Sequence, residues 1–539
     1  MHYKKLITPL AIATMTFASA FAYADIGFKH KDKHKRDKNT PTTQINETPF
    51  DYNDVSTLLN ILNQGAVEEH LGQHVEQADL ESLGQLDAFT EAFEEGDELF
   101  EIEFNALDGV GINVGNGKRF SSIPRLDLTG DMAWANVLPT RATGPNGNSC
   151  LSCHNQPISD GAGGVNDNTI RIDPERIQSG FIERQAPHIF GLGGLQLLAE
   201  EMTTELQLLR DQAIIDSCKT KTRLSISMTA KDINFGSLHV LCKRINYRDL
   251  AGIDKDLVVK PFEWKGLTAF TRDFVRGAAH QELGMQATEL VADKDLDFDG
   301  ITNEFTVGDI TALSIYSAGQ QRPVTTLELN QVITQLTLEE RETYGLPLSL
   351  TEIQSIERGS EVFSDMQCAS CHTPALTVNT PRFYEPSLHT DYRDEIFPAG
   401  EEIPLPNVAI EFDITEDIFV NPLELSSGQT LGEFEKDENG SAIVRLYGDM
   451  KRHDMGAPLA EDFDEGNVGA SVFLTENLWG VASTAPYLHD GRATTLTEAI
   501  MYHGGDAQDS KNLFANASQD NQEDLLAFLN SLVLYLEGE

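Results

Sequence analysis

Apolar positions along this chain recur mostly at helical spacing. Val55, Leu58, Leu59 and Leu62 fall on one face of a helix, so residues 49–86 are expected to form a helical N-terminal extension. Helix-like patterns also end in Glu95-Gly-Asp-Glu-Leu-Phe100 and in Arg358-Gly-Ser-Glu-Val-Phe363. Two more contain Asp309-Ile-Thr-Ala-Leu313 and Asp524-Leu-Leu-Ala-Phe528. The first 48 residues belong to no core. Lys4 and Lys5 precede an apolar run from Leu6 to Ala22, and Ala22-Tyr-Ala24 supplies small residues for cleavage, so residues 1–24 read as a secretory signal. Residues 25–48 are charged and polar, as a tether would be. The rest of the chain has no apolar run long enough to span a bilayer. The mature protein is therefore expected to be soluble outside the cytoplasm, not an integral membrane protein.

The helical patterns come in a repeated order. Ala186-Pro-His-Ile-Phe-Gly-Leu-Gly193 is echoed by Glu476-Asn-Leu-Trp-Gly-Val481, and Phe262-Glu-Trp-Lys-Gly266 by Tyr487-Leu-His-Asp-Gly491. With 539 residues the chain is too long for one ordinary core. Two homologous units are the economical explanation, at residues 87–322 and 345–539, with 323–344 as linker. Pro323, Gly345 and Pro347 suit the joint.

Each unit carries one copy of a specific motif, Cys150-Leu-Ser-Cys153-His154 in the first and Cys368-Ala-Ser-Cys371-His372 in the second. Two thiols three positions apart can reach the two vinyl groups of one porphyrin, and the adjacent histidine can ligate its iron. Zinc binding and thiol redox chemistry also use such thiol pairs, but the histidine directly after both pairs favours two covalent haem c groups. The expected fold is mainly α: two homologous cytochrome c-like domains with long loops, since a haem supplies much of each core. Haem is ligated to apocytochromes in the periplasm of bacteria, which makes that the expected compartment. The ligand opposite each proximal histidine decides whether an iron transfers electrons or reacts. His188, His280, Met285, Met455, His489 and His503 are the candidates.

Charge and the remaining cysteines narrow the partners. A formal net charge of -45 makes nucleic acid a poor partner. The acidity fits either a solubility adaptation or a surface that docks a basic electron-carrying protein. Of six cysteines, Cys218 and Cys242 stand outside the motifs. In an oxidising compartment they form a disulfide, a closure that stabilises by about 3 kcal/mol.

These residues resemble the di-haem cytochrome c peroxidase and MauG superfamily, and more closely its "di-haem oxidoreductase, putative peroxidase" branch. The resemblance runs from about Glu91 to Leu532 and is most specific at Leu478-Trp-Gly-Val-Ala-Ser-Thr-Ala-Pro-Tyr-Leu-His-Asp-Gly-Arg492, Leu496-Thr-Glu-Ala-Ile500 and His503-Gly-Gly505. After such a Glu-Ala-Ile run the peroxidases place a methionine on the iron and MauG-like proteins a tyrosine. Here the resemblance implies a His372/His503 iron, with Met455 of His453-Asp-Met-Gly456 as the competing ligand. Phe262-Glu-Trp-Lys-Gly266 looks like the segment whose tryptophan lies between the haems, which makes Trp264 the implied electron relay. Gln281-Glu-Leu-Gly-Met285 looks like the stretch whose glutamate sits over the reactive iron, which makes Glu282 the implied acid-base group. Arg184-Gln-Ala-Pro187 lacks the displaceable histidine that the peroxidases carry ahead of this segment. The first haem is then five-coordinate unless His188 or His280 closes it.

Asp293-Lys-Asp-Leu-Asp-Phe-Asp-Gly300 alternates carboxylates as a calcium loop does, with Asp293, Asp295, Asp297, Asp299, Asn303 and Glu304 as candidate ligands. Thr306 stands where an EF-hand carries its bidentate glutamate. A looser calcium loop or a solvated acidic turn remains. The expected function is peroxide reduction at the first haem, with electrons from a small donor protein or other reductant relayed through the second. The alternatives are a non-catalytic electron-transfer protein and MauG-like oxidation of a partner protein.

Overall fold

The computed structural model describes residues 74–111, 146–156, 161, 163, 169–171, 182–295, 300–337, 341, 347–389, 408–416, 425, 428 and 430–535. The secretory signal, the tether, the extension up to residue 73, Asp297 and Asp299 lie outside them. All described residues belong to one compact unit that runs from Asp51.

Seven helices position the sites: α1 (Gln85–Glu101), α2 (Leu192–Thr220), α3 (Thr271–Ala278), α4 (Val307–Gly319), α5 (Leu350–Asp365), α6 (Leu496–Tyr502) and α7 (Gln519–Leu529). Three begin on reciprocal caps that the sequence encodes at fixed spacing: Thr306 with Asp309, Ser349 with Glu352, and Thr495 with Glu498. Each such cap stabilises by about 1 kcal/mol.

The sequence repeat has a packing counterpart. Helix α1 packs against α4 and α5 against α7, and the first helix of each pair also contacts one motif's turn. The crossing points are the matched glycines. A Cβ on Gly96 would collide with the Ala312 carbonyl, and one on Gly359 with the Asp524 carbonyl. One turn later Phe100 and Phe363 are both buried, each against the cavity beside its own motif. The second pair builds a separate apolar cluster of Ile356, Phe363, Phe514, Leu525 and Phe528.

Six small antiparallel sheets among the described residues depart from the helical expectation, and the one with the longest strands follows α2. Strands β1 (Leu224–Ala230), β2 (Ile233–Leu241) and β3 (Arg244–Leu250) form an antiparallel meander after α2. Leu224, Ile226, Met228 and Ala230 alternate with small polar residues, and Met228 and Ala230 are buried. The disulfide Cys218–Cys242 ties the end of α2 to the end of β2, as the leftover cysteines led one to expect.

Candidate haem sites and the wall between them

Both motifs fold alike. Cys150–Ser152 and Cys368–Ser370 form single 3₁₀ turns, and the N–H groups of His154 and His372 return to the Cys150 and Cys368 carbonyls at 3.1 and 2.9 Å. This turn puts both thiols and the imidazole of each motif into the lining of one cavity. The two cavities are nearly equal, with about 1770 Å³ of atom-free space at the first and 1660 Å³ at the second, both open to solvent.

The donor chemistry fits an attached haem better than thiol exchange. Burial pushes the Cys150 thiol up to about 12 and the Cys368 thiol to about 11, so neither is the free thiolate that thiol exchange needs. Burial also holds His154 and His372 down at about 4, which keeps both rings in the neutral form that ligates iron. Among the described residues, Cys371, Asp449 and His453 come close enough to share a metal ion. In an attached haem the Cys371 sulfur would be a thioether, and the His453 Nε2 is already held by Asp449 at 2.8 Å.

On its far side the second cavity presents a second imidazole. His372 Nδ1 donates to the Tyr447 carbonyl at 3.1 Å and His503 Nδ1 to the Ala499 carbonyl at 2.8 Å, so each ring turns its Nε2 away from its backbone anchor. The ring centres stand 6.4 Å apart. Two metal–nitrogen bonds of about 2 Å each, plus the reach from each nitrogen to its ring centre, fill that gap. Met455 lines the same cavity. His489 also lines it, stacked on Phe473 with ring centres 4.3 Å apart.

The first cavity is walled differently. Glu282 lines it from the π-turn Ala279–Leu283 that follows α3, and its carboxylate accepts from the Asn146 side chain at 2.6 Å. The Glu282 carbonyl accepts from the N–H groups of Asn146 and Gly147, which fastens this turn to the residues just before Cys150. His188 lines both cavities, and its Nε2 is committed to the Trp479 carbonyl at 3.0 Å. His280 is buried in the π-turn and Met285 in the main apolar core, and neither lines either of these two cavities.

Between the cavities stands a shared wall that includes Gln185, Pro187, His188, Trp264, Glu476 and Asn477. Gln185 is its hinge pin, because its N–H donates to the His489 carbonyl at 2.8 Å and its carbonyl accepts from Trp264 Nε1 at 2.8 Å. A buried ion cluster braces it. Arg184 pairs with Glu461 and Glu465, and Lys265 pairs with Glu461 at 3.2 Å and lies over the Phe473 ring. Sequence motifs point to Trp264 and Glu282 but not to Glu461, Glu465 or Glu476, whose roles arise from contacts distant in sequence.

Near the acidic loop, the Asp295 side chain accepts from the Gly300 N–H at 3.0 Å. Glu304 turns inward instead, and its carboxylate accepts from the Gln286 backbone and side chain at 2.8 and 3.0 Å.

The comparisons with known proteins bear on the second site most directly. Residues 426–532 match the family described as "Di-haem oxidoreductase, putative peroxidase". That stretch holds Met455, Glu476 and His503, and the family is the branch that the sequence motifs resemble. Among curated proteins none matches the chain. Two solved structures are similar over most of its length. One is a MauG-like protein associated with microbial copper homeostasis, 16% identical, covering 82% of this chain and 88% of that one with a TM-score of 0.30. The other is the hydrazine synthase of Kuenenia stuttgartiensis, 13% identical, covering 87% and 97% with a TM-score of 0.31. Among the described residues, no helix is long and apolar enough to cross a membrane.

Proposed function

We propose that this chain is an exported, periplasmic di-haem c-type oxidoreductase of the peroxidase kind. One haem would be held by Cys150, Cys153 and His154, the other by Cys368, Cys371 and His372. The observation that carries the reading is the difference between two otherwise matched cavities: His372 faces His503, whereas the cavity of His154 presents the carboxylate of Glu282. A haem iron with an open position can bind peroxide, and one with both axial positions filled passes electrons. The residues divide the remaining work. Glu282 takes a proton from one peroxide oxygen and returns it to the leaving oxygen, and the Asn146 amide keeps its carboxylate aimed. Trp264, in the lining of both cavities, carries electrons between them. Two electrons and two protons per peroxide yield two waters, the electrons coming from a small donor protein or another reductant. Asp293 and Asp295, with Asp297 and Asp299, are the proposed calcium loop.

A second reading, an electron carrier with both irons six-coordinate, draws on His188, whose Nδ1 is buried without a partner in the first cavity. Spectra of the haem-loaded protein separate the two. The peroxidase reading expects high-spin ferric features that shift with cyanide. Wholly low-spin spectra in both the as-isolated and half-reduced forms, insensitive to cyanide, would overturn it.

A further inference from the structure

The shared wall holds a group that peroxide reduction, as set out above, does not use. Among the described residues, Glu476 is the one carboxyl that lines both cavities. Its segment is pinned at both ends. The Leu474 N–H donates to the Trp264 carbonyl at 2.9 Å, and the Trp479 carbonyl accepts from His188 Nε2 at 3.0 Å. Between them Thr475 donates to the Lys451 carbonyl through its N–H at 3.0 Å and its hydroxyl at 3.2 Å. The backbone therefore holds Glu476 between the two motifs.

Among the described residues no cation answers this carboxyl. Arg184 is taken by Glu461 and Glu465, and Lys265 by Glu461 and the carbonyls of Gly469, Ala470 and Val472. The other acids facing the cavities have donors of their own: Thr268 for Glu263, Asn146 for Glu282, Arg184 for Glu465 and the Asp454 N–H for Asp506. His188, His372 and His503 donate to carbonyls, and His453 to Asp449. Burial keeps His154 and His489 neutral at about 4. Of the last two groups in the second cavity, Lys511 acts on His503, and burial raises the Tyr487 phenol further from ionisation. Among the described residues none adds to or offsets the burial of Glu476, which pushes the carboxyl up to about 7.

The geometry points to Glu476 as the proton-loading group of the haem pair: its carboxylate takes up a proton from solvent as an electron enters the adjoining cavities and releases it when that electron leaves. The balance is simple. One electron comes from a one-electron donor, one proton comes from water, and the only bond made or broken is the O–H of the acid. The driving force is Coulombic, since an added electron near an uncompensated carboxylate in a low-dielectric wall costs energy that protonation removes. The inference rests on the two-haem reading above.

The test is a spectroelectrochemical titration of the haem-loaded protein and of Glu476→Gln between pH 5 and pH 9. Near pH 5, where the carboxyl is protonated, the potentials of the two proteins should coincide. Above about pH 7 the wild type should fall below the variant by up to a tenfold shift in the reduction equilibrium per pH unit, about 59 mV. A gap independent of pH, or no gap, overturns the assignment while leaving the haem reading intact. A mass spectrum without attached porphyrin removes both.

Discussion

The two motif regions share almost everything except what stands opposite the histidine. Each has a helix crossed at a glycine, a phenylalanine against the cavity, a single turn bearing the thiols, and a proximal ring kept neutral by burial. At the second motif the opposite wall is α6, whose last turn delivers His503 with its Nδ1 already satisfied by Ala499. At the first, the π-turn after α3 brings Glu282 into the cavity lining. On the proposed reading, the motif attaches the haem and the rest of the cavity lining decides the chemistry. A repeated scaffold can thus hold one electron-transfer site and one reactive site without any change in the motif itself.

The largest test of this contrast is Glu282→Gln. If the carboxylate moves protons at the first site, peroxide turnover should fall by about 10²–10⁴-fold, while haem content and cyanide binding stay as they were. Turnover within a few-fold of wild type would remove Glu282 from the chemistry. His503→Ala comes next and should reverse the asymmetry. With its far imidazole gone, the second haem should become high-spin and bind cyanide, so about half of the haem absorption changes, and both groups stay attached through their cysteines. An unchanged spectrum would transfer the ligand to Met455, which lines the same cavity.

Trp264→Phe probes the wall instead of either site. Phenylalanine keeps a ring but loses the indole N–H bond to the Gln185 carbonyl, a loss of about 1 kcal/mol in stability. Electron exchange between the haems, followed by stopped flow after half-reduction, should slow several-fold, with cyanide affinity at the first haem unchanged. Equal changes in both would mean that the tryptophan merely supports the cavity.

How far the sequence reaches follows the range of the contacts involved. The motifs, the caps and the matched Gly96 and Gly359 are encoded within a few residues, so spacing alone exposes them. His503 and Glu282 are legible by resemblance, because short stretches around them carry it. Glu476 opens the echo Glu476-Asn-Leu-Trp-Gly-Val481, but that pattern does not show where its carboxyl stands, which depends on Trp264 and His188 pinning its segment from more than two hundred residues away. The buried cluster of Arg184, Lys265 and Glu461 escapes for the same reason. The meander is a different case: its period-two alternation is present in Leu224–Ala230, but seven residues amid long helical patterns weigh little.

The smallest expected effect is an equality. Burial lowers His154 and His372 to the same value, about 4, from the usual 6.5. In the unfolded chain these rings gain protons as pH drops through about 6.5, whereas the folded chain keeps them neutral. The unfolded state then binds more protons, so each ring's share of folding stability is full above about pH 6.5, declines as pH falls toward 4, and changes no further below it. Iron ligation would hold the proton off further still. An acid titration of the haem-loaded protein should therefore show both haem bands unchanged from pH 7 to pH 5 and then lost together. If the first band goes a full pH unit before the second, the two proximal sides are not equivalent, and the contrast between the sites extends to the attachment side as well as the far wall.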